Sequence, residues 1–173
     1  MIKNTFKNAD EAYKYFFREI LKNGVEFDDT QALFNVGFTI ENPTDNHIVD
    51  KGCIVPRNWN QEYAEAEWQW YLTGDPKIST LGDIYGKVPE IWKRMADIRG
   101  QVNSNYGYQW ERNDQLDSII THLRVNPKSR RGAISIYDAK EMHKYSNDTP
   151  CTYAVQFTIL NNRLNMCVTM RSN

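Results

Sequence analysis

A chain of 173 residues, 40% hydrophobic and 13% aromatic, can bury one core but is short for two ordinary domains, so a single domain over 1–173 is expected. With 21 Lys and Arg against 22 Asp and Glu the formal net charge is −1, so no global field recruits nucleic acid or an anionic membrane, and an anionic ligand has to be held locally. Met1 opens a polar stretch rather than a signal peptide, and no apolar run reaches the roughly 18 residues of a membrane span, so a soluble, cytoplasmic protein is expected.

From Ala9 to Asn23, Tyr13, Phe16, Phe17, Ile20 and Leu21 recur at helical spacing, and Gly24 stands where a left-handed C-cap would fall. Gln31 to Ile40 largely alternates through Leu33, Phe34, Val36, Phe38 and Ile40, which predicts a strand closed by a turn over Asn42 to Asn46. Asn60 is placed to cap a helix running to about Thr73 and ending at Gly74, with Tyr63, Ala66, Trp70 and Tyr71 on one face and Glu67 inside that stripe.

Further helices are expected over Pro89 to Ile98, stopped by Gly100, and over Asp114 to about Val125, with Leu116, Ile119, Ile120 and Leu123 inward. Arg130 and Arg131 lead into a strand through Tyr137, and a hairpin follows: Tyr153 to Leu160, a turn at Asn161-Asn162, then Leu164, Met166, Val168 and Met170 alternating. A symmetric two-residue turn would set Thr152 opposite Arg171. This order has no regular βαβ alternation, so the fold class expected is α+β, a mostly separate β-sheet packed with helices.

Cys53, Cys151 and Cys167 are an odd number of cysteines without CxxC or Cys/His ligand spacing, which argues against a disulfide framework or a structural metal and for a reducing compartment. In the hairpin register above, Cys151 lies one position from the cross-strand partner of Arg171, and a guanidinium there would favour the thiolate, the nucleophilic form. A cysteine after Pro150 is, taken alone, more often structural. Arg130 and Arg131 at a turn suit a phosphate, since guanidinium forks bind its oxygens bidentately, though a solvated loop reads the same way. Glu67 on an apolar face is either a buried proton-transfer group or half of a structural ion pair. Asn103 to Gly107 reads as a turn-rich loop carrying the Tyr106 hydroxyl. Trp68, Trp70 and Trp92 are flat enough to stack on a heterocycle, but aromatic stripes at helical spacing usually belong to a core.

Glu67 with Trp70-Tyr71-Leu72-Thr73-Gly74-Asp75, then Tyr106-Gly107-Tyr108-Gln109-Trp110, Asn126 to Arg131, Pro150-Cys151 and Met170-Arg171-Ser172 stand in one order and spacing. Together they resemble the N-terminal and central part of the thymidylate synthase and deoxycytidylate (dCMP) hydroxymethylase family, closely from about Tyr63 onward and loosely before it. The resemblance implies a thymidylate synthase-like catalytic domain that moves a one-carbon unit from methylenetetrahydrofolate to C5 of a deoxypyrimidine monophosphate. It implies that Cys151 adds to C6 of the base, that Glu67 organises water and moves protons, and that Tyr106 helps remove the C5 proton. Arg171 and Ser172 would hold the nucleotide phosphate in the same subunit, Arg130 and Arg131 would reach the neighbouring subunit's phosphate in a twofold homodimer, and Trp92 would meet the folate.

In the synthases a His follows the cysteine and a Gln precedes the phosphate-binding Arg; Thr152 and Met170 stand there in this chain. Both choices, with Asn103 to Gly107 and Asn126 to Gly132, look like the phage-type hydroxymethylase branch, whose product is a 5-hydroxymethyl nucleotide. Asp28-Asp29-Thr30-Gln31 takes the place of an early arginine loop. The chain stops at Asn173, whereas the family continues through the residues that tell uracil from cytosine and that close over folate. The expectation is therefore a family fold truncated at its C-terminal end, with a noncatalytic homodimeric nucleotide-binding module as the alternative.

Overall fold

Asn8 starts the first helix by the chemistry expected of an N-cap: its side-chain oxygen accepts the Glu11 N–H at 3.0 Å, satisfying one of the donors that a helix start leaves over. In the computed structural model, which describes residues 3–140, 143, 145 and 147–171, this helix, α1, spans Ala9–Asn23 as its periodicity predicts. Gly24 does not adopt the left-handed cap. Its φ is −65°, and the residue is glycine-like for another reason: a Cβ there would run into the Ile20 carbonyl, which accepts the Gly24 N–H.

The chain divides into two compact units, 1–61 and 62–173. In the first, β1 (Thr5–Phe6) pairs in parallel with β4 (Thr39–Ile40), and β2 (Val25–Phe27) pairs antiparallel with β3 (Thr30–Ala32). The single strand expected over Gln31 to Ile40 is thus two short ones. Asn35 at φ 55° is left-handed, and a left-handed residue breaks the period-two alternation that a strand needs. Asp28 and Asp29 are exposed in the β2–β3 turn. Phe6 is the buried centre, ringed by Tyr15, Phe16 and Phe38.

The second unit carries α2 (Gln61–Leu72), α3 (Ile78–Tyr85), α4 (Glu90–Met95), α5 (Tyr106–Glu111) and α6 (Gln115–Val125). It also holds an antiparallel sheet in the order β5 (Ala133–Ser135), β6 (Thr152–Leu160), β7 (Arg163–Met170). The helices and the sheet occupy separate stretches of chain, the α+β arrangement expected. Helix α4 ends three residues earlier than its pattern suggests. Helix α6 starts one residue late because Asn113 and Asp114 are both left-handed. Helix α3 was not legible as a separate element.

Ile119 and Leu123 of α6 pack on Ile134, Ile136 and Val155, the core beneath the sheet, while Ile120, expected inward, faces out. A second core joins Ala66 and Trp70 of α2 to Leu81 and Val102. Among the described residues no helix is long and apolar enough to cross a membrane.

Candidate active site

The hairpin turn is as its sequence predicts: Asn161 and Asn162 are both left-handed, the conformation a two-residue type I′ turn requires, and Leu160 pairs with Arg163. The symmetric register runs from there to Ala154 opposite Thr169. Then a β-bulge at Tyr153 slips it, and Thr152 pairs with Met170 instead of Arg171. The consequence is chemical. Arg171 now lies directly across from Cys151, and its N–H donates to the Cys151 carbonyl at 2.9 Å.

The Arg171 guanidinium folds over the segment before the cysteine. Nη2 donates to the Thr149 carbonyl at 2.9 Å, Nε to the Pro150 carbonyl at 3.3 Å, and Nη2 also stands 3.9 Å from Cys151 Sγ. The thiol is half-buried. From the other side, the Tyr106 hydroxyl oxygen accepts the N–H groups of both Cys151 and Thr152, at 3.0 and 3.2 Å. The cysteine backbone is therefore held at its carbonyl by one partner and at its amide by another.

Tyr106 is not in a loop; it is the first residue of α5. Asn105, fully buried, caps that helix by accepting the Tyr108 N–H at 2.8 Å, and donates to the Asp75 carbonyl at 3.0 Å. Gly107 allows α5 to press on the end of α2, because any Cβ there would overlap the Tyr71 backbone carbonyl. The Tyr106 ring meets Tyr71 edge-on, with centroids 5.9 Å apart. Sequence reasoning missed one further clamp. Buried Asp148 accepts the Ser104 N–H at 2.6 Å and the Ser104 hydroxyl at 2.5 Å, tying the 103–105 segment to the chain just before Cys151.

Glu67 lies half-buried on α2. Tyr63, one turn earlier, donates its hydroxyl to Oε1 at 2.8 Å, and Tyr71, one turn later, hydrogen-bonds the same carboxylate. Burial pushes the Glu67 carboxyl above its ordinary value, and the two phenols act against that by stabilising the anion. Burial likewise raises Tyr63 and Tyr71, and the negative charge on Glu67 adds to both. Both tyrosines were legible from their i±4 spacing around Glu67, but only as apolar-face residues.

The tryptophans separate. Trp70 is fully buried and belongs to the core, Trp68 is mostly exposed, and Trp92 on α4 is half-buried, edge-on to Trp70 at 5.4 Å with its indole N–H donated to the Tyr63 hydroxyl at 2.7 Å.

A contiguous chain of contacts thus joins Arg171, Cys151, Tyr106, Tyr71, Glu67, Tyr63 and Trp92. Arg130 and Arg131 stand apart. They line an open depression with His122, Asn126, Lys128 and Ser129, and their side chains make no hydrogen bond or ion pair among the described residues. Their turn is built: the buried Ser129 hydroxyl accepts the Arg131 N–H at 3.1 Å and meets the His122 ring at 2.6 Å. Ser172, expected beside Arg171, lies outside the described residues.

The architecture is that of solved thymidylate synthases. It superposes on the thermostable thymidylate synthase A of Bacillus subtilis with a TM-score of 0.61 at 24% identity, over 96% of this chain and 65% of that one. Against the T4 phage thymidylate synthase structure the TM-score is 0.54 at 24% identity, over 68% and 45%. The chain belongs to the thymidylate synthase family, whose model matches residues 11–173. Among its relatives is the deoxycytidylate 5-hydroxymethyltransferase of Enterobacteria phage T4, 38% identical over 122 residues, which are 66% of this chain and 48% of that protein. The thymidylate synthase of Bacillus mojavensis is 26% identical over 184 aligned positions, covering 95% and 64%. The chain therefore spans about half the length of the phage relatives and about two thirds of the bacterial one.

Proposed function

We propose that this chain carries the nucleophile of a folate-dependent transferase that adds a one-carbon unit to C5 of a pyrimidine deoxynucleotide monophosphate. The observation that carries the reading is the contact chain itself: a half-buried thiol, an arginine at its sulfur, a phenol at its backbone and a buried carboxylate linked in one cluster. Thr152 and Met170, with the greater identity to the phage deoxycytidylate hydroxymethyltransferases, favour hydroxymethylation of dCMP over methylation of dUMP.

Cys151 acts as the nucleophile. Its thiolate pair forms the S–C6 bond, the C5–C6 π pair moves to C5, and C5 becomes able to bond a carbon electrophile. Arg171 complements the charge on sulfur as the thiolate forms and again when it departs. The Tyr106 oxygen, already accepting two backbone N–H groups, stands beside the cysteine to assist loss of the C5 proton; once the carrier has left the transferred carbon and water has added to it, the thiolate would leave C6 and restore the ring double bond.

Glu67, whose carboxyl burial has shifted toward the neutral form, is suited to passing a proton to and from the base or an ordered water. The half-buried Trp92 fits the flat ring of methylenetetrahydrofolate, and it would hold that cofactor, which supplies the one-carbon unit. Arg171 and Ser172 would bind the nucleotide phosphate within one subunit. Arg130 and Arg131, presented on a turn without side-chain partners among the described residues, would reach the phosphate across a twofold homodimer.

The test is mass spectrometry of the protein incubated with methylenetetrahydrofolate and the 5-fluoro analogue of dCMP or dUMP. Fluorine at C5 cannot leave as a proton, so the covalent complex accumulates. A ternary adduct mapped to Cys151 and absent in Cys151→Ser is the expected result. An unmodified mass with both analogues, while nucleotide still binds, would overturn the catalytic reading in favour of a noncatalytic nucleotide-binding module.

A further inference from the structure

Tyr63, Glu67 and Tyr71 follow one another at four-residue intervals on α2, so each phenol sits a single turn from the carboxylate. The link does not stop at the helix. The Trp92 indole, brought in from α4, donates to the Tyr63 oxygen at 2.7 Å, and Tyr63 donates onward to Glu67 Oε1 at 2.8 Å. An indole N–H has no acceptor and an ionised carboxylate has no donor, so the direction of this chain is fixed: Trp92 to Tyr63 to Glu67. Hydrogen bonds in series polarise one another in a low-dielectric interior. A charge at the accepting end draws the phenol proton, enriches the phenol oxygen and tightens its grip on the indole.

We propose that Tyr63 is a positioning residue that joins Trp92 to Glu67, so that the hold on the tryptophan tightens or slackens with the charge on the carboxylate. Resting on the roles given above to those two residues, this couples the group that moves protons to the surface that receives the one-carbon donor. The ring against which the folate lies is held most firmly while Glu67 is ionised, and a proton taken up at Glu67 loosens it.

Among the described residues, the titratable groups shown against this chain are phenols: Tyr71 on the same helix, Tyr85 of α3 edge-on to Tyr63 at 5.3 Å, and Tyr106 of α5 against Tyr71. Glu67 is the carboxyl of this cluster, so a response in the acidic-to-neutral range reports on it.

The experiment follows the Trp92 indole ¹⁵N–¹H resonance, assigned through Trp92→Phe, across a pH titration, with the Glu67 carboxyl carbon followed by ¹³C in the same sample. In the wild type the indole resonance is expected to shift with the Glu67 midpoint. In Tyr63→Phe, which keeps the ring and its packing, the Glu67 carbon still titrates and the indole shift is lost. Glu67→Gln, with Tyr63 intact, should also leave the indole resonance flat, and this second variant serves if Tyr63→Phe does not fold. An indole resonance that stays flat through the wild-type Glu67 titration, or one that still titrates in either variant, overturns the proposal. The readout needs neither nucleotide nor folate. A missing Cys151 adduct beside an intact indole titration would therefore count against the transferase reading alone, and the reverse pattern against the coupling alone.

Discussion

Replacing Tyr106 with phenylalanine keeps the ring against Tyr71 and removes one oxygen, the acceptor of the Cys151 and Thr152 N–H groups. The two donors do not fare alike. Cys151 is half-buried and its N–H can turn to water, so its loss is small, whereas Thr152 is buried and its N–H is left without a partner. An orphaned buried donor costs about 1–3 kcal/mol, so the variant should lose roughly 2 kcal/mol. For a chain of this size that is a fall in melting temperature of about 4–8 °C. Equilibrium urea unfolding followed by tryptophan fluorescence measures the loss. Alkylation followed by peptide mapping measures the thiol, and Cys151 should react faster once its turn is released, with exposed Cys167 as the internal reference. A loss below about 0.5 kcal/mol together with an unchanged Cys151 alkylation rate would show that the phenol does not hold the nucleophile's backbone.

Two further outcomes test the local physics. Asn162 sits at φ 58° in the hairpin turn, where an L-residue is disfavoured by on the order of 1 kcal/mol, less for asparagine, and glycine is not, so Asn162→Gly should raise stability by up to about 1 kcal/mol in the same urea assay; a loss would mean the asparagine side chain matters more than its backbone. Glu67→Gln should be more stable than the wild type at pH 8. Burial raises the folded-state carboxyl, so ionising it opposes folding. That cost is absent below about pH 4.3, where the unfolded chain too is protonated, and fully present once pH passes the folded value. The gap between variant and wild type should therefore close as pH falls toward 4, and a gap of constant size across that range would contradict the assignment of Glu67 as a buried, raised carboxyl.

Much of the architecture was written locally. The 3.6-residue recurrence from Tyr13 to Leu21, Asn8 at the helix start and the Asn161-Asn162 pair each act within a few residues of chain, and each element stands where that pattern puts it. Elements without a strong period were not legible. Helix α3 is eight residues long, α5 is six and begins inside what reads as a loop, and the strand expected over Gln31 to Ile40 is broken at Asn35 by a left-handed backbone. For the candidate site, the sequence supplied the residue types, namely a cysteine after proline, a carboxylate on an apolar face, a tyrosine before glycine and a double arginine, and their order carried the family resemblance.

Which of those residues meet was decided by tertiary structure, because it depends on contacts between segments far apart in the chain. A one-residue bulge at Tyr153, invisible to a pattern of alternation, turns Arg171 from a neighbour of the Cys151 position into its direct partner. The pressing of α5 onto α2 at Gly107 brings Tyr106 to Tyr71, and the packing of α4 beside α2 delivers the Trp92 indole to Tyr63. The helix faces, the hairpin and the chemical groups available could be read along the chain, since these depend on near neighbours in sequence. That a thiol, three tyrosines, a carboxylate and a tryptophan form one connected cluster follows from the fold alone, since hydrogen bonds of 2.7–3.2 Å between residues up to 46 positions apart exist only once the elements have packed.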